Sequence, residues 1–169
     1  MSGPVSRALT GSYLAGAIRR GIQAIPNDKR KHISESVRAD FLDSLDLDEA
    51  SRTRHPNDAR WDYLLGHTPS SQVVAVETHS AETSQISLVI RKRTASLGHL
   101  RGQLRAGHHV AAWYWAASGR IDFVPHEKTV LRLSENGIEF VGGGLEARHL
   151  AKLSRRSTAP PQQRAKPRR

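Results

Sequence analysis

The chain has 169 residues, 37% of them hydrophobic, with a formal net charge of +10, a size that suits one domain with tails. It contains no cysteine, which excludes disulfides, thiol catalysis and thiolate metal sites and leaves carboxylates, histidines and backbone oxygens as metal donors. No run approaches the roughly 18 apolar residues of a membrane span, so the expected setting is cytoplasmic, with no membrane partner.

Residues 1–32 form a basic segment with six Lys/Arg against one acid. Within it the stripe Leu14, Ile18, Ile22 suits a docking helix. Residues 26–31 read as a charged, turn-rich linker, and residues 33–150 as the core domain. Ser34 is a good N-cap, and Val37, Phe41, Leu42 and Leu45 follow it at helical spacing. That pattern predicts an amphipathic helix of about a dozen residues, with Glu35, Asp40, Asp43 and Asp46 on its polar face. Residues 51–60 read as a polar loop around His55-Pro56-Asn57-Asp58.

Residues 61–65 then read as a strand ended by Gly66, and the β-branched run 73–79 as a central strand. The short turn between them predicts an antiparallel hairpin. Ile86, Val89, Ile90, Leu97, Leu100 and Leu104 mark one stripe of a long helix, with Gly107 as its stop. Its other faces carry Arg91, Lys92, Arg93, Arg101 and Arg105. Residues 110–116 read as an aromatic-rich strand in which Trp113 and Trp115 share a face. Ser118-Gly119 predicts a turn into a short strand over 121–124. A short helix over 127–136 is stopped by Gly137, and a last strand covers 138–141. From Ala151 to Arg169 there are seven Lys/Arg and no acid, with Pro160, Pro161 and Pro167, which predicts a disordered tail. The core is therefore net −2, and the positive charge belongs to the ends. Such ends hold polyanions by counterion release, without sequence choice.

Each of the two apolar strands carries one acid where a hydrophobe is expected. Asp62 lies in Trp-Asp-Tyr-Leu-Leu, and Glu77 in Val-Val-Ala-Val-Glu-Thr-His. Residues two apart on a strand share a face, so Glu77 and His79 point the same way. In the simplest hairpin register Asp62 lies close to both. Two carboxylates on neighbouring strands make a natural divalent-metal site; an ion held there acidifies bound water and stabilises charge on a phosphoryl group. Nine histidines show neither HExxH nor any regular ligand spacing, so zinc is not expected.

Asp62 and the Glu77-Thr78-His79 triplet resemble the restriction-endonuclease-like PD-(D/E)xK superfamily, whose motif is an acid at a strand start and Asp/Glu-x-Lys on the next strand. The acidic segment Glu35, Asp40, Asp43 matches the place where that family often supplies a further acid from a preceding helix. The likeness spans residues 33–116 and departs at one point, because His79 stands where the family has lysine. Family members also place the lysine on the following helix, and the resemblance then implies Lys92. It further implies an α/β fold with a mixed central sheet flanked by helices. The implied activity is phosphodiester hydrolysis of nucleic acid with Mg2+ or Mn2+. On that reading Asp62 and Glu77 hold the metal, and Lys92 or His79 serves the attacking water. Arg91, Arg93, Arg101 and Arg105 grip phosphates. The alternative is a non-catalytic protein of the same fold that binds nucleic acid, a protein partner or a second copy of the chain.

Overall fold

A computed structural model describes residues 2–124 and 127–157, without the side chains of 154–157. Three strands run first as a meander. β2 (Phe41–Asp46) pairs antiparallel with β3 (Tyr63–His67), and β3 with β4 (Gln72–Ala81). Strands β3 and β4 form the antiparallel hairpin that the short turn predicted, with Tyr63 opposite Val76 and His67 opposite Gln72. Helix α4 (Ile86–Arg101) then carries the chain over the sheet to β5 (Val110–Ile121), which pairs parallel with β4. A parallel neighbour cannot be reached by a tight turn, so a helical crossover is required. Helix α5 (Lys128–Glu135) makes the second crossover, to β6 (Ile138–Phe140), again parallel. With the two-residue strand β1 (Arg19–Arg20) on the edge of β2, the result is a six-stranded mixed sheet in chain order.

Both sheet faces are covered. On one, Leu64, Val73, Ala75, Trp113 and Trp115 pack beneath α4 and the N-terminal segment, in one buried cluster with Ile86, Val89 and Leu100. On the other, Tyr63, Leu65, Val74, Val76 and Tyr114 pack with Ile33, Val37, Leu150 and Leu153. Burial on both faces explains why β4 reads as a nearly unbroken apolar run.

Several sequence expectations are corrected. The predicted acidic helix that begins after Ser34 stops after one turn, α2 (Glu35–Arg38), and Phe41–Asp46 is strand β2. Val37, Phe41 and Leu45 mimic a helical stripe, but a β-bulge between Phe41 and Asp43 sends Phe41 to one sheet face and Leu45 to the other. Backbone pairing on both edges outweighs a weak local propensity. Gly119 (φ +120) sits in continuous strand and not in a turn; the register against β4 slips between His79 and Ala81, accommodating extra residues of β5 as an irregularity. The expected domain boundary at residue 150 falls inside α6 (Ala147–Ser157), which buries Leu150 and Leu153. Residues 158–169 of the predicted tail lie outside the described residues. Helix α3 (Leu47–Ser51) precedes the stretch expected as loop and shares only Ser51 with it.

The N-terminal basic segment belongs to the core. Its first helix, α1 (Pro4–Ala8), buries Val5 and Ala8, and Leu9 and Leu14 follow into the same cluster. It docks through Asp43 of β2. One carboxylate oxygen accepts the Val5 N–H at 3.1 Å; the other accepts the Ser6 N–H at 2.8 Å and the Ser6 hydroxyl at 2.7 Å. A carboxylate at these free amides meets the positive end of the helix. The close approach needs glycine, since a Cβ on Gly3 or Gly66 would overlap the Asp43 carboxylate. Among the described residues no helix is long and apolar enough to cross a membrane.

Asp43→Ala removes the acceptor for three donors, and hydrogen bonds to a charged group contribute about 1.5–3 kcal/mol each at most, with strong overlap between them. The expected loss in urea unfolding is about 2–3 kcal/mol, against about 1 kcal/mol for Ser6→Ala. An Asp43→Ala protein within about 0.5 kcal/mol of wild type would show that α1 docks by apolar packing alone.

Candidate functional site

Asp62 immediately precedes β3, and its position is overdetermined. The preceding Trp61 is fully buried, edge-on to Trp113 with ring centroids 5.1 Å apart, and its N–H donates to Ser96 Oγ of α4 at 2.8 Å. The Asp62 carbonyl accepts the N–H groups of Leu47 (2.8 Å) and Asp48 (3.3 Å) at the start of α3. Its carboxylate Oδ2 accepts both the backbone N–H (3.0 Å) and the hydroxyl (2.9 Å) of Thr78 on β4. In return the Asp62 N–H donates to Glu77 Oε2 at 3.0 Å.

Glu77 lies on the sheet face that α4 covers, and it is fully buried. The residue that answers it is Lys92. Its ammonium donates to Glu77 Oε1 and lies 3.4 Å from Asp62 Oδ1. Lys92 and Asp62 each keep 15% side-chain exposure, so the cluster reaches solvent through these two. Three elements thus converge on one point: the entry to β3, the middle of β4 and the second turn of α4.

Charge controls this site. Two carboxylates and one ammonium sum to −1 when all are ionised, in a place water hardly reaches. Burial, and then the Asp62 charge, push the Glu77 carboxyl up to about 8, against the opposing pull of Lys92. Burial alone would depress Lys92, but the two carboxylates outweigh it and hold the ammonium above its ordinary value. Burial and the neighbouring acid thus favour a proton retained on Glu77, beside the Lys92 ammonium. A further cation here would remove the reason for that proton.

Asp46, the last residue of β2, stands across from Tyr63, the residue after Asp62. Burial raises its carboxyl, and the charge of Asp62 adds to the rise even though the Glu49 N–H donates to it at 2.9 Å. Asp46 and Thr78 were not among the expected site residues. Asp46 becomes visible as a neighbour only when 41–46 is read as a strand.

The other expected residues separate. His79 does not join the trio: its ring bonds the Ser80 carbonyl at 3.1 Å and hydroxyl at 3.4 Å, and its own carbonyl accepts Trp115 Nε1 at 3.1 Å. The expected convergence of Asp62, Glu77 and His79 therefore holds for the two acids, with Lys92 in place of the histidine. Arg93 turns inward, its guanidinium 5.4 Å from the Trp113 ring and directly over Gly137, so it is no part of an exposed phosphate grip. Arg91, Arg101 and Arg105 are exposed. Arg101 and Arg105 border a cleft with His108, His109 and Trp113 at the opposite end of α4, about 14 Å along the helix axis from Lys92 to Arg101. The acids expected from a helix sit elsewhere: Asp43 serves α1, and Glu35 is exposed on α2. No family model matches the chain, and no curated protein and no solved structure matches it.

Glu77 binds its proton more tightly in the folded state than at its ordinary value of 4.5. Its contribution to stability is therefore full below pH 4.5 and is lost as pH rises through about 8. Melting temperature should fall along this limb in wild type, and Glu77→Gln, which cannot ionise, should flatten it. Parallel profiles for the two proteins would mean that Glu77 titrates as an ordinary surface acid.

Proposed function

We propose that this protein is a metal-dependent nuclease of the PD-(D/E)xK kind, hydrolysing nucleic-acid phosphodiesters with Mg2+ or Mn2+. One observation carries the reading: Lys92, on the helix after the motif strand, meets both Asp62 and Glu77. That is the alternative lysine position which the resemblance implies. The order of antiparallel meander, helical crossover and parallel strand supports it.

The donor set fits a hard divalent ion. Asp62 Oδ1 and Glu77 Oε1 both face the Lys92 ammonium, the one position at which a cation could meet both carboxylates. The raised Glu77 carboxyl records a deficit of positive charge that such an ion would supply. When bound, the ion lowers the pKa of a coordinated water and offsets charge on the phosphoryl group.

The chain's own residues do the rest. Thr78 holds the Asp62 carboxylate and the α3 amides hold its backbone carbonyl, so the metal-binding oxygens are placed before substrate arrives. Lys92 holds a proton and a positive charge at the site and so orients an attacking water and the phosphate oxygens. Arg91, exposed one residue away on α4, and the basic ends hold the nucleic-acid backbone without reading bases.

A second reading has its own observation. Every oxygen of Asp62 and Glu77 already has a donor, and Glu77 has no exposure. A closed trio of this kind suits a non-catalytic protein of the same fold, binding nucleic acid or a protein partner.

One assay separates the two. Wild type is incubated with duplex DNA, single-stranded DNA and RNA in magnesium or manganese. Glu77→Gln and Lys92→Ala should each lower cleavage by at least about 100-fold, the scale of losing one positioned catalytic group. His79→Ala should retain activity, and Glu77→Gln should retain binding. Loss with His79→Ala and survival with Lys92→Ala would reverse the assignment. A wild type that cuts none of the three substrates would leave the binding reading.

A further inference from the structure

The loop leading to Asp62 lies along α4 like one edge of a zipper. Residues 92, 96 and 99 share a helix face, being four and three apart. Each takes one contact from the loop: Lys92 from Asp62, Ser96 from the Trp61 N–H, and His99 from Asp58. The first contact belongs to the trio described above. The last is a separate cluster about 10 Å further along the helix axis.

In that cluster Asp58 Oδ2 lies 2.9 Å from His99 Nε2 and 3.4 Å from His55 Nδ1. The two imidazole rings are stacked, with centroids 3.7 Å apart and planes 15° from parallel. One atom each of His55, Asp58 and His99 lie within 4.8 Å of one another. The loop is held in this shape independently of the histidines. The Arg60 guanidinium donates to the carbonyls of His55 (2.6 Å), Asp58 (3.1 Å) and Pro56 (3.3 Å), while its Nε pairs with Asp48 at 2.9 Å. His99 is 11% exposed on the rigid helix; His55 and Asp58 are more open, at 30% and 53%.

We propose that His55, Asp58 and His99 form a transition-metal site that takes zinc in preference to magnesium, with water completing the shell. Two imidazole nitrogens beside one carboxylate oxygen suit zinc, whereas magnesium takes oxygen donors alone. Four-coordinate zinc with bonds of about 2.0 Å spaces its ligands roughly 3.3 Å apart. The observed spread closes to that by rotating the half-buried His55 and the exposed Asp58 side chains, with the Arg60-braced backbone left in place. The ion replaces the hydrogen bonds by which both rings now share one oxygen. The three residues come from two segments separated by β3 and β4, which is why their sequence spacing carried no zinc signature. This site is independent of the nuclease reading, because its donors are not those of the Asp62–Glu77–Lys92 trio. It has a mechanical consequence: zinc fastens the loop four residues before Asp62 to α4 and so stiffens the entry to the trio.

The test is a titration of the full chain, stripped with chelator, with zinc chloride by calorimetry, and with cobalt(II) by its visible d–d absorption. Wild type should take up zinc at one dominant site and show the intense bands of low-coordinate cobalt. His99→Ala and His55→Ala should each weaken zinc binding by at least about 10-fold, the smallest effect common for disturbing a ligand set. Glu77→Gln should bind zinc as wild type does. A check that each variant melts as a folded protein without zinc keeps the comparison valid, and Asp58→Asn, at an exposed position, provides a third probe. Wild type without zinc uptake, unchanged binding in both histidine variants, or loss of binding in Glu77→Gln would each overturn the proposal.

Discussion

The structure turns on the burial of Glu77 beneath α4. A carboxyl group with no access to water, on the covered face of a central strand, needs a hydrogen-bonding cationic partner whether it keeps its proton or loses it. Lys92 is that partner, and its reach ties the register of α4 to the register of β4. Asp62 enters the same arrangement from β3 and makes the site one negative charge too rich. The packing around it is otherwise ordinary: apolar strands covered on both faces, two helical crossovers, aromatic contacts among Trp115, Phe123 and Phe140. The polar cluster is the exception, and it concentrates charge where the sheet would be most stable without any.

Two unconnected polar devices hold the rest of the chain to this centre. Asp43 ties the N-terminal segment across β2, and the zipper of Asp62, Trp61 and Asp58 along α4 ties the polar loop. Both work by giving an isolated charged or amide group a partner far away in sequence. The first makes a segment of basic character part of the core. The second places a His–Asp–His cluster and the Asp62–Glu77–Lys92 trio on one seam, so an ion held at one end would bear mechanically on the other.

Where the sequence could be read, its period was clean. The alternation and β-branching of 73–79, the stripe from Ile86 to Leu100 and the Gly137 stop each correspond to an element that forms. Val37, Phe41 and Leu45 misled because four-residue spacing also arises when a bulge flips one strand position to the other face. Asp43 looked like the polar face of a helix because its donors, Val5 and Ser6, lie far upstream. Glu77 and His79 do alternate together, but alternation says nothing of where a ring turns, and His79 bonds its neighbour Ser80. Lys92 entered only through the family resemblance; its place over Glu77 depends on how far the crossover carries α4, which local pattern does not contain. His55, Asp58 and His99 were invisible for the same reason.

Crystals grown in manganese, with diffraction collected at the manganese absorption edge, test the central claim most directly. The account predicts an anomalous peak between the Asp62 and Glu77 carboxylates, with the Lys92 ammonium moved off Glu77 Oε1 to make room for the ion. A trio still closed on itself, with no peak beside it at saturating manganese, would contradict the account and leave Asp62, Glu77 and Lys92 as a buried structural ion pair.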